Sequence, residues 1–169
     1  MKLLGAILIM ASAFLACILL LREKKKRQEA YRSLAAALEL LRGELSTGGI
    51  PLDLGVERAY LHAEGSGKAC LSAVRDGFPE LGESSFAEIW DKALRETCSW
   101  LSPDTQTELK KLGGVLGRFD LDLQLRSLDA CVSDLKEQWQ RLRNEYPSQR
   151  RVSLGLSFGL SALLVILLC

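Results

Sequence analysis

The sequence contains a single histidine, His62, and five cysteines that never pair as C-x-x-C. A zinc site needs three or four such ligands close together, and a nucleophilic serine or cysteine needs a base within reach. His62 stands near Glu64 with no partner at a useful spacing, so neither chemistry has its parts. The cysteines, at 17, 70, 98, 131 and 169, are odd in number and widely spaced. They read as free thiols of a reducing compartment and not as a disulfide framework. A phosphate loop is also missing. The one glycine cluster, "LGGVLG" at 112–117, falls inside a helical pattern, with no strand before it and no Lys-Ser/Thr at its end. Acidic neighbours such as Asp120 and Asp122 lie two apart, which on a helix points them in different directions and spoils a general acid/base pair. No alternating strand pattern and no internal repeat is present. These absences exclude most enzyme classes, and the expectation is a non-catalytic protein without metal or other cofactor.

Long uncharged runs, in contrast, stand at both ends. Residues 3–21 read "LLGAILIMASAFLACILLL", nineteen residues without a charge. At about 1.5 Å per residue they make roughly 28 Å of helix, near the hydrocarbon thickness of a bilayer. A secretory signal carries its positive charge ahead of a shorter apolar core, whereas here Lys2 alone precedes and Arg22, Lys24, Lys25, Lys26 and Arg27 follow. A lipoprotein signal at "FLAC", with Cys17 modified, fits poorly, because "ILLL" follows where a mature lipoprotein turns polar. Residues 152–169, "VSLGLSFGLSALLVILLC", form a second uncharged run of eighteen behind Arg141, Arg143, Arg150 and Arg151. Both runs are apolar all round, which argues against two amphipathic core helices. The organisation that follows is a transmembrane helix at 3–21, a helical domain at 22–151 and a transmembrane helix at 152–169. Both basic flanks face the central segment, so the positive-inside rule puts that domain in the cytoplasm of a two-span cell-membrane protein.

The formal charge of +1 conceals this arrangement. Residues 22–46 carry seven basic and four acidic groups, residues 53–140 ten and sixteen, and residues 141–151 four and one. The basic ends suit anionic lipid headgroups, each Lys or Arg contributing about 1 kcal/mol near the surface. The acidic middle argues against nucleic acid as a partner. It leaves either ordinary helix surface or a face for a basic partner.

Helical period runs through the centre. Tyr31, Leu34, Leu38, Leu41 and Leu45 step by three and four along a helix continuing from the first span. It stops at "STGGIP", where Pro51 suits the first position of a helix with the stripe Leu52, Val56, Ala59, Tyr60 and Ala63. "GSG" at 65–67 should break that helix, with a short one following over 69–74. After the loop "DGFPELGES", Ser85 and Glu88 form a capping box for a helix striped by Phe86, Ile89, Trp90, Ala93, Leu94, Thr97 and Leu101. Ser102 with Pro103 opens the next, striped by Leu109, Leu112, Leu116 and Phe119. Asp120 can cap the last, in which Leu121, Leu125, Leu128, Val132, Leu135, Trp139, Leu142 and Tyr146 form a heptad seam. The seam packs along the domain's own helices or pairs between chains as a homo-oligomer, and internal packing is favoured. The fold class is all-α: a cytoplasmic helical bundle flanked by two transmembrane helices.

Several blocks together resemble the stage III sporulation protein AB family of endospore-forming bacteria, over essentially the whole chain. They are "KLLGAILI", "ALELLRGELSTGGIPL", "SFAEIWDKAL", "LGGVLGRFDLDLQLRSL" and the terminal "SLGLSFGLSALLVILL". The pattern L-G-x-x-L-G-x-x-D-x-x-x-Q, here Leu112, Gly113, Leu116, Gly117, Asp120 and Gln124, is the most specific. The junction "NEYPSQRRVS" departs from the family's pattern, and its Pro147 argues against an unbroken helix entering the second span.

The resemblance implies a membrane-anchored subunit of the trans-envelope complex between mother cell and forespore, with its domain on the mother-cell side. It also implies a helical domain similar to the inner-membrane platform protein of type II secretion and type IV pilus machines. The partners so implied are a cytoplasmic secretion-type ATPase and other subunits of the complex. An ordinary secretion or pilus platform would carry a duplicated helical domain, and a membrane-tethered regulator or enzyme would need a polar constellation; neither is visible. For the contact surface, the residues off the seam of the last helix (Asp129, Lys136, Glu137) and those beside the glycine block (Glu108, Lys110, Lys111) are the candidates. The packing role falls to the two glycines, Gly113 and Gly117, expected to share one helix face and to permit either close helix approach or a bend between two helices.

The topology is directly testable. Reporter fusions or cysteine labels at Glu57 and Glu108 should report the cytoplasm, and an external signal from either would overturn the two-span orientation.

Overall fold

Tyr31, Leu34, Leu38, Leu41 and Leu45 are each at most 4% exposed, and the helix carrying them is the frame on which the others are laid. The computed structural model describes residues 2–47, 50–117 and 120–168, with side chains over 22–47, 50–117 and 120–144 and at positions 12, 15 and 18–20. Its helices are α1 (Lys2–Ser46), α2 (Leu52–His62), α3 (Gly65–Gly77), α4 (Phe86–Thr97), α5 (Pro103–Gly113) and α6 (Leu121–Leu168), with a 3-10 turn at Phe78–Glu80. The described residues contain no strand beyond a single bridge between Leu81 and Ser84, and the all-α expectation holds.

Two compact units divide the chain: Glu29–Trp139, and Met1–Gln28 together with Gln140–Cys169. In the second of these the backbone is helical, as the start of α1 and the end of α6. Among the described residues no helix is long and apolar enough to cross a membrane. The spans expected at 3–21 and 152–169 fall for the most part on side chains outside the described set, as do Phe119 and Tyr146. The backbone of α6 continues through position 147, against the expected interruption there. A proline removes one backbone hydrogen bond from a helix, and a long helix can carry that loss.

In the central unit, α1 ends where the hydroxyls of Ser46 and Thr47 donate to the carbonyls of Gly43 and Glu44, both at 2.7 Å. These bonds add to what the carbonyls of the last turn otherwise have, the Glu44 carbonyl also accepting from the Thr47 N–H at 3.4 Å. Pro51 is the N-cap of α2, one position before the first helical residue expected for it. Gly55 lies against Leu41 and Leu45, so α2 packs on α1.

The expected break at 65–67 lies two residues earlier, at Ala63 and Glu64, which are extended. Helix α3 starts at Gly65 and is longer than the short helix expected over 69–74. Gly67 is a contact and not a breaker. A Cβ there would lie 2.3 Å from the Ser33 carbonyl oxygen and 2.6 Å from the Ala37 methyl. The Gly67 N–H also donates to Ser33 Oγ at 3.4 Å.

The capping box of α4 is present, with Ser85 Oγ accepting from the Glu88 N–H and Glu88 Oε2 accepting from the Ser85 N–H. The bonds that the Ser85 N–H and hydroxyl donate to the Glu88 carboxylate lower that carboxyl below its usual range. Trp90 is fully buried and its indole N–H donates to the Leu109 carbonyl at 2.7 Å, locking α4 to α5. Ser102 caps α5 with Pro103 behind it, and the Ser102 N–H donates to the Tyr31 hydroxyl at 3.2 Å. The Tyr31 ring meets Trp100 edge-on at 5.1 Å. Within α6, Leu128 and Leu135 have no exposed surface and Val132 is buried, so the middle of the seam packs inside the chain. Leu125, Trp139 and Leu142 are half-buried.

Two glycines of the same unit should respond oppositely to alanine. Gly67→Ala forces a methyl against backbone and should cost about 1–3 kcal/mol. Gly43 has nothing within 4 Å of its Cβ position, and Gly43→Ala should stabilise the helix by up to ~1 kcal/mol. Thermal unfolding of the full chain in detergent, followed by circular dichroism, separates the two; equal shifts would mean that α3 does not approach α1 this closely.

Candidate functional site

The six motif residues come together as the corner between α5 and α6. Leu112 and Leu116 are buried, and Gly113, the last residue of α5, faces Trp90, with its Cβ position 2.4 Å from Trp90 Cδ1. Gly117 has φ +81, a left-handed conformation that costs a residue with a Cβ and not glycine. Its N–H donates to Oε1 of the buried Gln124 at 3.3 Å, across the corner. Asp120 Oδ1 accepts from the Leu123 N–H at 3.0 Å and caps α6.

This geometry corrects two expectations. Helix α5 does not run through 112–117, since it ends at Gly113 and the next residues form turns. The two glycines therefore do not share a helix face. Space is not the constraint at Gly117, whose Cβ position is 3.4 Å from Leu52 Cδ2, an ordinary contact; backbone conformation is. The apolar spacing of α5 runs on to Leu116 because that residue is buried from the turn.

The charged candidates are largely engaged within the chain. Lys111 pairs with Glu108 at 2.7 Å along α5, and Lys110 reaches Asp91 of α4 at 3.0 Å. Asp129 pairs with Arg42 and Lys136 with Glu39, both ties from α6 to α1. Half-exposed pairs of this kind contribute about 0–1 kcal/mol each. Cys131 Sγ lies 3.9 Å from the Glu108 carbonyl oxygen, which brings α6 against α5. Sequence spacing finds pairs within one helix, such as Glu108 with Lys111, but gives no signal for partners 97 residues apart such as Glu39 and Lys136.

Three cysteines, Cys70, Cys98 and Cys131, are free and buried. Its hydrogen bond to Cys98, with burial added, raises the Cys70 thiol well above its usual range. Burial, helped by Glu108 and Asp134, pushes Cys131 up to about 11. His62 is exposed at the end of α2. Among the described residues no group of His, Cys, Asp and Glu could hold a metal ion.

Two measurements follow from this geometry. Gly117→Ala should destabilise the chain by about 1–2 kcal/mol through its left-handed φ, and Asp120→Ala by about 1 kcal/mol through the lost cap; melting of the variants checks both. For Cys131, the ordinary thiol value is 9.0 and the folded one about 11. Between these pH values the folded chain keeps a proton that the unfolded chain has lost. Stability from this group is complete below pH ~9 and is lost as pH rises through ~11. Denaturant titrations across that window should show Cys131→Ala losing less stability than the parent.

The family model for "Stage III sporulation protein AB" matches residues 2–169. A solved structure of "Stage III sporulation protein AB (SpoIIIAB)" is similar in fold, with TM-score 0.62 and 22% identity, over 72% of this chain and 97% of that one. Among curated proteins none matches. With the family pattern assembled into one corner and its model matched along the whole described length, the chain belongs to the stage III sporulation protein AB family.

Proposed function

We propose that this sporulation protein is a non-catalytic, membrane-anchored platform of the complex joining mother cell and forespore. In this reading residues 3–21 and 152–169 span the membrane and the central unit stands in the mother-cell cytoplasm. It meets a secretion-type ATPase and other subunits of the complex there, while the basic collars at 22–27 and 141–151 contact anionic lipid. The observation that carries the reading is backbone continuity: α1 and α6, which frame the central unit, are each one helix with an uncharged run at the far end. Family membership supports association with other sporulation subunits and with the membrane. The motif residues favour a structural role over turnover, since they build a turn and a helix cap.

The α5–α6 face remains the proposed contact for the ATPase. Its charges are exposed even where paired, so they can steer association while contributing little to stability. Reversing Glu108 and Glu137 to Lys should slow association and change its salt dependence, with unfolding shifted by less than about 0.5 kcal/mol for each. Co-purification of the tagged full chain from solubilised membranes of sporulating cells tests the reading as a whole. Recovery of an ATPase and small membrane subunits is the expected outcome; recovery of the chain alone from the soluble fraction would overturn it.

A further inference from the structure

Helices α3 and α4 come close at Gly77, where a Cβ would lie within 2.4 Å of Ile89 Cγ2. Both residues line a groove of about 440 Å³ between the two helices. Its lining includes residues with little or no side chain, Ala69, Ala73 and Gly77 from α3 and Ala93 from α4. Its rim carries the carboxylates of Asp76, Glu80 and Glu96 against one amine, Lys92.

We propose that this groove receives a cationic helix of another protein subunit. The methyls of Ala69 and Ala73, four residues apart on α3, with Gly77 one turn on and Ala93 on α4, let a second helix come close and lay an apolar stripe between α3 and α4, the helix-in-groove mode. The volume lies within the range of ligand-sized clefts. Lys92 is already held by Glu80 at 3.0 Å and Asp76 by Arg75 at 2.9 Å. Among the described residues Glu96 has no ion-pair partner, so the rim stays net acidic. That sign selects the occupant. Anionic lipid headgroups and nucleic-acid phosphates are repelled, whereas a helix with Lys or Arg beside a small apolar stripe gains at both the charged rim and the small residues. This face uses neither the corner nor the α5–α6 charges, so the chain would hold two partners at once.

The inference rests on the reading of the chain as an assembly subunit, and the test keeps the two apart. A photoreactive benzoylphenylalanine at Ala73 of the full chain, activated in membranes of sporulating cells, should crosslink to a Lys- or Arg-bearing helix of another protein, mapped by mass spectrometry. Glu96→Lys should lower the yield several-fold, as should raised salt, and the same photoreactive residue at the exposed Leu61 of α2 should give no such product. If the bulky group at Ala73 disturbs folding, judged by helicity, placing it at the rim residue Ser72 repeats the test. Crosslinks only to lipid or to a second copy, a yield indifferent to Glu96→Lys, or no product above the Leu61 control would each overturn the groove. If subunits still co-purify in that case, the groove fails alone; if nothing co-purifies, the platform reading fails as well.

Discussion

The central unit depends on how closely α3 comes to α1. At Gly67 the α3 backbone approaches the Ser33 carbonyl at a distance no side chain permits, and the Gly67 N–H bonds the Ser33 hydroxyl. That approach fixes α3, and α4 is then fixed through the fit of Ile89 on Gly77. Helix α5 follows from the Trp90 bond to Leu109 and its fit on Gly113. Tyr31 closes the circuit by accepting from Ser102 just before α5, so the first helix positions the fifth as well as the third. Close-packed interiors transmit such constraints because they have little free volume to absorb a shift.

The helices were legible wherever periodicity or a side-chain cap decided them. The α1 stripe, the Ser85 and Glu88 box, Ser102 with Pro103, and the Asp120 cap all needed only local rules, and the structure places each at its expected position. The glycines were legible only in part: close approach at Gly113 and a bend between two helices at 112–117 are both present, but the shared helix face is not. At Gly67 a local rule predicts a break, but the residue is small because another helix lies against it, and that helix is 34 residues away in sequence. At 112–117 the apolar spacing continued through a turn, since burial at Leu116 does not require a helix. Both failures come from local rules: neither a glycine's breaking tendency nor apolar spacing reports the geometry that a distant helix imposes.

The candidate site divides in the same way. The motif could be recognised from its letters, and its residues do meet, yet the purpose of Gly117 appears only in its φ and in the Gln124 bond across the corner. Of the charged residues off the seam and beside the glycine block, Lys110, Asp129 and Lys136 also pair with opposite charges on neighbouring helices, which sequence spacing does not reveal. The α3–α4 groove left no trace in the reading, since alanines at four-residue spacing look like ordinary helix formers.

The ties between α1 and α6 carry a consequence for synthesis. Glu39 and Lys136 are 97 residues apart, and at ribosomal rates of about 5–20 residues per second the earlier one waits roughly 5 to 20 s for the later. Throughout that interval the leucines of α1 have no final cover from the last helix. Under the proposed topology the first segment would enter the bilayer during this interval and hold the uncovered stripe near the lipid surface, apart from other unfinished chains.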